Sequence, residues 1–238
     1  MDMVATDLFQ HAGKHYLCMT DCYSGNCWVQ KLTSLTTSTV INTLVDWFLE
    51  LGLPNTIRSD KGPQFRGEFK SFCKSLNINQ ETSSSYYPQS NGLAESAVKS
   101  MRYLLKRCQG CYKTFKKALL VWRNTPKEYG YSPAQLFFGY AQNYGQNSLG
   151  SPFIDRTEAS KAREHAKSTH NAQYNKGSLE LSTLEIGDKV LLRNPKTHEF
   201  DTEGEITAKR RSGRSYNVST KDDFETIRNR RDLIPILP

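Results

Sequence analysis

Three carboxylates stand where a folded chain could use them together. Asp7 lies inside the first apolar run, Asp60 ends a later run at the edge of a Gly-Pro turn, and Glu95 opens a long basic helix. The stretches carrying the last two are Ser59-Asp60-Lys61-Gly62-Pro63-Gln64-Phe65 and Tyr87-Pro88-Gln89-Ser90-Asn91-Gly92-Leu93-Ala94-Glu95. Acids delivered by three separate elements suit a metal-ion site that works on phosphates, because hard cations such as Mg²⁺ take oxygen ligands and substrate phosphates. The plain alternative is three unrelated surface acids, since Asp and Glu are mostly exposed in any fold.

The elements that must position these acids follow from periodicity. Residues 3–9, 15–20 and 26–32 alternate as strands separated by turns, which makes an antiparallel meander with Asp7 on its first strand. The period then becomes helical over Val40, Ile41, Leu44, Val45, Phe48 and Leu49, with Ser38 or Thr39 as the expected cap and Gly52 as the stop. Residues 56–59 form a strand leading to Asp60, 67–76 a helix, and 78–82 a fifth strand. Three strands in a meander followed by strands alternating with helices describe a mixed five-stranded sheet with flanking helices. A carboxylate on the first strand and another just after the fourth make this an α/β chain of RNase H-like architecture.

From Asn91 to Arg107 the apolar positions line one stripe, while Lys99, Arg102, Lys106 and Arg107 occupy other faces. Between Ser96 and Lys127 there are nine basic residues and no acid. Such a face is often only solvated, but this one begins one turn from Glu95, which gives phosphate binding both charge and position. Residues 115–122 form a second helix and Ser132-Pro133 starts a third. The Gly-, Asn- and Ser-rich residues 141–152 mark a boundary, and 153–176 read as a solvated linker helix with His165 and His170 on its surface. This gives a core at 1–140, a linker with helix at 141–184, and a small module at 185–238. The short strands after Gly187 come at a rhythm that predicts a small SH3-like all-β barrel, with basic runs at Lys209-Arg210-Arg211 and Arg228-Asn229-Arg230-Arg231.

Composition narrows the partners. The 238 residues carry a formal net charge of +8, and residues 1–150 hold 16 basic against 10 acidic groups, so the excess favours a polyanion. No apolar span is long enough to cross a membrane, and Asp2, Asp7 and His11 interrupt any signal-peptide core. The six cysteines stop at Cys111, which reads as reduced thiols of a chain that is not secreted. Cys108-x-x-Cys111 is half of a zinc pattern without a second pair or a nearby His, so no zinc site is expected.

The chain resembles the integrases of LTR retroelements, specifically the gypsy type. The resemblance is carried by Thr6-Asp7-Leu8-Phe9, Thr20-Asp21-Cys22-Tyr23-Ser24-Gly25, the two stretches around Asp60 and Glu95, and Tyr131-Ser132-Pro133-Ala134-Gln135-Leu136-Phe137-Phe138-Gly139. It continues in Gly187-Asp188-Lys189-Val190, Arg214-Ser215-Tyr216 and Arg228-Asn229-Arg230-Arg231. It implies a catalytic core in which Asp7, Asp60 and Glu95 hold two Mg²⁺ ions, with Mn²⁺ as a substitute. The implied reactions are 3′-end processing and strand transfer on double-stranded DNA, the element's ends and a target. Implied DNA contacts are Gln89, Asn91, Lys99, Arg102, Lys106, Lys209, Arg210, Arg211, Arg228, Arg230 and Arg231. A homo-oligomer working in the nucleus completes the expectation.

This sequence departs from the family's pattern at several points. Asp60 and Glu95 lie one position closer than is usual, Lys61 stands where Asn is usual, and Ser85 where Pro is usual. The chain starts six residues before Asp7, without the family's amino-terminal His-His-Cys-Cys zinc domain. A fragment of a retroelement polyprotein, or a host gene derived from one, is the corresponding expectation. A nuclease without joining activity and an inactive DNA-binding derivative are the alternatives.

Overall fold

The computed structural model describes the chain except for residues 83–91, 144–152, 175, 177–180, 196, 211–212, 221–223 and 237–238. Two compact units emerge, a first covering Met1–Thr82 and resuming with Asn91–Lys176, and a second within Gly177–Pro238.

The first unit is built on a mixed sheet of β1 (Met3–His11), β2 (Lys14–Asp21), β3 (Cys27–Lys31), β4 (Thr56–Ser59) and β5 (Asn79–Thr82) in the order β3-β2-β1-β4-β5. The β1–β2–β3 meander is antiparallel, whereas β4 pairs parallel to β1 and β5 parallel to β4. This is the RNase H-like arrangement that the period changes predict.

Side chains on β1 alternate between two cores. Val4 and Leu8 face α1 (Thr37–Leu51) and α2 (Glu68–Ser75), where Leu17, Met19, Trp28, Ile57, Leu44, Phe48 and Phe69 are packed. Phe9 faces the opposite way, toward α3 (Gly92–Arg107) and α4 (Tyr112–Asn124), and packs with Tyr16, Cys18, Val98, Met101, Leu105 and Phe115. Asp7 shares the second face.

Two details of α1 differ from the sequence expectation. Its cap is Thr36, whose Oγ1 accepts from the Thr39 N–H at 3.3 Å. Its buried stripe is Val40, Leu44, Trp47 and Phe48, which leaves Leu49 81% exposed on nearly the opposite side of the helix.

Two further helices complete the unit. Ser132 caps the short α5 (Pro133–Phe138) in a reciprocal box with Gln135. The helix α6 (Arg156–Tyr174) lies against the β2–β3 turn: Arg163 donates to the Cys22 carbonyl at 3.1 Å and stacks on Tyr23, which also bonds Ser160. Both His165 and His170 on this helix are exposed.

The second unit corrects the expected SH3-like barrel. Its strands β6 (Lys189–Arg193), β7 (Phe200–Lys209), β8 (Ser215–Thr220), β9 (Glu225–Asn229) and β10 (Leu233–Pro235) form one antiparallel sheet in the order β10-β6-β7-β8-β9. Closure would need β9 and β10 to pair, and they do not. A turn of 3₁₀-helix at Arg230–Asp232 carries the chain from one edge to the other, where three residues of β10 pair with β6 alone. The sheet is open. One face still buries a core of Leu184, Val190, Leu192, Ile206, Tyr216, Val218 and Leu233.

Candidate functional site

Asp7 sits midway along β1, opposite Cys18 on β2, on the face that α3 covers. Its Oδ1 accepts from the Leu8 N–H at 2.8 Å. Burial nonetheless pushes its carboxyl up to about 6, and the negative charges of Asp60 and Glu95 push the same way. The Leu8 hydrogen bond and the Arg102 guanidinium oppose the shift. Asp60 and Glu95, the other two acids singled out by spacing, therefore each lie within electrostatic reach of Asp7, as does one cation of α3.

The local fold explains how each arrives. Asp60 follows the last residue of β4, whose Arg58 is registered beside Ala5 of β1 on one side and Glu81 of β5 on the other. Arg58 Nη2 lies 2.8 Å from Glu81 Oε2, which ties β4 to β5 just before the carboxylate. Beyond Asp60 the loop is pinned by buried Phe65, whose carbonyl accepts from Gln80 Nε2 at 2.7 Å. Asp60 Oδ1 accepts from the Gly62 N–H at 2.9 Å, a side chain closing a turn on its own backbone two residues on. Glu95 is in the first turn of α3, exposed at the end where an acid also complements the helix dipole.

A hard divalent cation suits this donor set, since all three groups are carboxylates and Asp7 is short of counter-charge. As they stand, no three His, Cys, Asp or Glu side chains among the described residues form a closed cluster able to hold a metal.

The expected DNA contacts divide. On α3, Lys99, Arg102 and Lys106 are all exposed, and the Arg102 guanidinium carbon lies 5.7 Å from the centre of the Phe9 ring. In the second unit, Lys209 pairs with Glu185, and Arg210 is half-buried. Arg228 is buried and donates to Thr226 Oγ1 at 2.5 Å, while Arg230 donates to the Ser182 carbonyl at 2.5 Å and the Leu233 carbonyl at 2.8 Å. Arg231 is exposed beside Asp232. Gln89, Asn91 and Arg211 lie outside the described residues.

The Gly62 N–H bond to Asp60 and the Arg58–Glu81 pair are not marked by the sequence motifs. An Asp followed two residues later by Gly was the available signal for the first, because an aspartate commonly bonds that N–H in a turn. Cross-strand register, which no local pattern reveals, was needed for the second.

Residues 1–88 match the family model described as the integrase core domain. That stretch, 37% of the chain, is similar to retroviral-type integrase core domains. Over 88 residues it is 34% identical to the Gag-Pro-Pol polyprotein of Mason-Pfizer monkey virus, covering 37% of this chain and 5% of the viral protein. Over 134 residues it is 33% identical to an uncharacterized protein of Caenorhabditis elegans, covering 53% of this chain and 11% of that protein. The chain thus spans a small part of these relatives' length. The chain is also similar in fold to the catalytic core domain of BIV integrase, with a TM-score of 0.51 at 22% identity over 57% of this chain and 93% of that one. A chain in the simian T-cell lymphotropic virus intasome, solved with PP2A regulatory subunit B56 gamma, matches 100% of this chain and 79% of its own length at a TM-score of 0.68 and 17% identity. Among the described residues, no helix is long and apolar enough to cross a membrane.

Proposed function

We propose that the first unit is an integrase-like, metal-dependent polynucleotidyl transferase acting on double-stranded DNA, with Asp7, Asp60 and Glu95 as the ligands of two Mg²⁺ ions. The observation that carries this reading is the state of Asp7, whose carboxyl is raised to about 6 with Asp60 and Glu95 among the causes. A partly buried carboxylate that feels two further negative charges favours a divalent cation beside it. Bound there, the ions supply Lewis-acid charge at the scissile phosphate and favour ionisation of the attacking hydroxyl.

The chain's own groups do the rest. The Gly62 N–H holds the Asp60 carboxylate in orientation, and the Arg58–Glu81 pair fixes the strand that delivers it. Lys99, Arg102 and Lys106 lie three and four residues apart on the exposed side of α3, where they neutralise backbone phosphates and set the position of the duplex without reading its bases. No side-chain nucleophile is required, because water or a DNA 3′-hydroxyl attacks.

The finer reading rests on the motifs. It is 3′-end processing and strand transfer of gypsy-type LTR retroelement DNA by a homo-oligomer in the nucleus.

The test is a labelled duplex incubated with the protein and Mg²⁺ or Mn²⁺, scored for nicking and for joining. Joining that disappears in Asp60→Asn supports the proposal. Nicking without joining makes the protein a nuclease, and silence with both metals leaves a DNA-binding derivative.

A further inference from the structure

Cys108 and Cys111, half of a zinc pattern in the sequence, gain a different meaning from the turn that joins α3 to α4. Gly110 donates its N–H to the Leu105 carbonyl at 3.1 Å and Gln109 to Lys106 at 3.0 Å, the crossed pair that closes a helix. Gln109 and Gly110 have φ of 50° and 70°, so the chain reverses at once. The Cys111 N–H then donates to the Cys108 carbonyl at 2.9 Å. A four-residue turn closed this way holds its end Cα atoms within about 7 Å. Disulfides span Cα separations of about 4.4–6.8 Å, so the turn brings the two backbones into the range a disulfide needs.

The two thiols are unlike. Cys111 is exposed and is the N-cap residue of α4, and its sulfur accepts from Thr114 Oγ1 at 3.3 Å. That hydrogen bond, the backbone N–H groups of Thr114 and Lys113, and the Lys113 charge all hold its thiol below the usual range. A thiolate at a helix N-terminus beside a lysine is the form that attacks. Cys108 is half-buried against the core beneath α3 and α4. Of the other four, Cys18, Cys27 and Cys73 are buried, and burial pushes the half-buried Cys22 up to about 11.

We propose that Cys108 and Cys111 form a thiol–disulfide exchange site for low-molecular-weight disulfides of the glutathione type, with Cys111 attacking and Cys108 resolving. The Cys111 thiolate attacks one sulfur of the small disulfide. A Cys111–S–S–R bond forms, the small molecule's S–S bond breaks, and the departing thiolate takes up the proton that Cys111 gave to solvent. Cys108, deprotonated in turn, attacks the Cys111 sulfur and expels the second small thiolate, which is protonated. Two protein thiols are oxidised to one disulfide, and one small disulfide is reduced to two thiols. The site lies thirteen residues beyond Glu95, roughly 20 Å along the helix at 1.5 Å per residue, so it does not depend on the DNA chemistry proposed above.

The experiment equilibrates the full chain in glutathione buffers of increasing oxidised fraction, quenches in acid, alkylates with iodoacetamide and maps the peptides by mass spectrometry. The expected product has lost two of its six thiols, and the Cys108–Lys113 peptide has lost two hydrogens. Cys108→Ser should stop at a single glutathionyl group on Cys111, and Cys111→Ser should keep Cys108 free. In the reduced protein, Cys111 should alkylate at least about ten-fold faster than Cys22 at neutral pH, as an accessible thiol of low pKa does. Six free thiols in the most oxidising buffer would overturn the proposal, as would an adduct on Cys22 or Cys108 ahead of Cys111.

Discussion

The Gly62 N–H donates to Asp60 Oδ1 at 2.9 Å, and a Cβ added to Gly62 would lie 2.9 Å from that same oxygen. The position demands an amide that can approach the carboxylate and leaves no room for a methyl group beside it. Gly62→Ala should therefore turn the Asp60 carboxylate aside while the strand and the buried Phe65 stay in place. Removing such an orienting partner costs about 10–100-fold in metal affinity or activity. The expected result is a drop of that size in Mg²⁺-dependent nicking at an unchanged melting temperature. Asp60→Asn should lose the activity altogether. Parent-like nicking by both variants would remove Asp60 from the site.

Much of this was legible in the sequence because local periods report local structure. The alternation through Thr6-Asp7-Leu8-Phe9 put Asp7 on a strand, and the change to a 3.6 period after Thr39 separated the meander from the helices. What stayed hidden depends on pairing between distant segments. Nothing local says that Leu233–Pro235 joins β6 instead of β9, so evenly spaced short strands read as a barrel when the sheet is open. Arg228 likewise reads as part of a basic run, but strand parity and its Thr226 hydrogen bond bury it. Asp60 and Glu95 were the easier to place, since each stands at an element boundary that the sequence marks, whereas Asp7 lies midway along β1.

Asp7 predicts a pH dependence of known sign in metal-free protein. Its folded-state carboxyl titrates at about 6 against an ordinary value of 3.8, so the folded state holds the proton more tightly. That contribution is fully present below pH 3.8 and is lost as pH rises through 6. Asp7→Asn has no such proton to lose. With chelator present, the variant's melting temperature should therefore gain on the parent's as pH is raised from about 4 to 7. Saturating Mg²⁺ should close the gap by stabilising the parent alone. A parent that gains on the variant over the same range would contradict the burial assigned to Asp7.

Lys99 and Arg102 allow charge and phosphate binding to be separated. Both are exposed on α3, but only Arg102 acts on Asp7. Replacing both with Ala should weaken binding to unrelated duplexes alike and lower the salt slope by about two, roughly 0.9 for each phosphate no longer neutralised. Arg102→Ala alone should also shift the Asp7 titration upward, and Lys99→Ala should not. An unchanged salt slope in the double variant would make this an ordinary solvated face.

Gly204 makes the last prediction, on the second unit. It lies in β7 between Val190 and Thr220, with its missing side chain on the face that buries Ile206. A Cβ there would meet the Ser219 carbonyl oxygen and a Val218 methyl at 2.7 Å, and a Leu192 methyl at 2.9 Å. The methyl groups could rotate away, but the carbonyl belongs to the backbone of β8 and moves only with its strand. Gly204→Ala should thus force β7 and β8 apart, costing about 1–3 kcal/mol as other overpacked cores do. Thr207→Ala, an exposed position on the same strand, should stay within about 0.5 kcal/mol. Amide hydrogen exchange at Ile206 and Val218 reads the difference. The Gly204 variant should exchange roughly five-fold to a hundred-fold faster there, since about 1.4 kcal/mol is a factor of ten. Exchange in the first unit's Leu17 and Ile57 serves as the internal reference and should not change. Protection at Val218 equal to the parent's would show that β8 yields without cost, and the close approach of the two strands at Gly204 would then contribute nothing to holding the sheet.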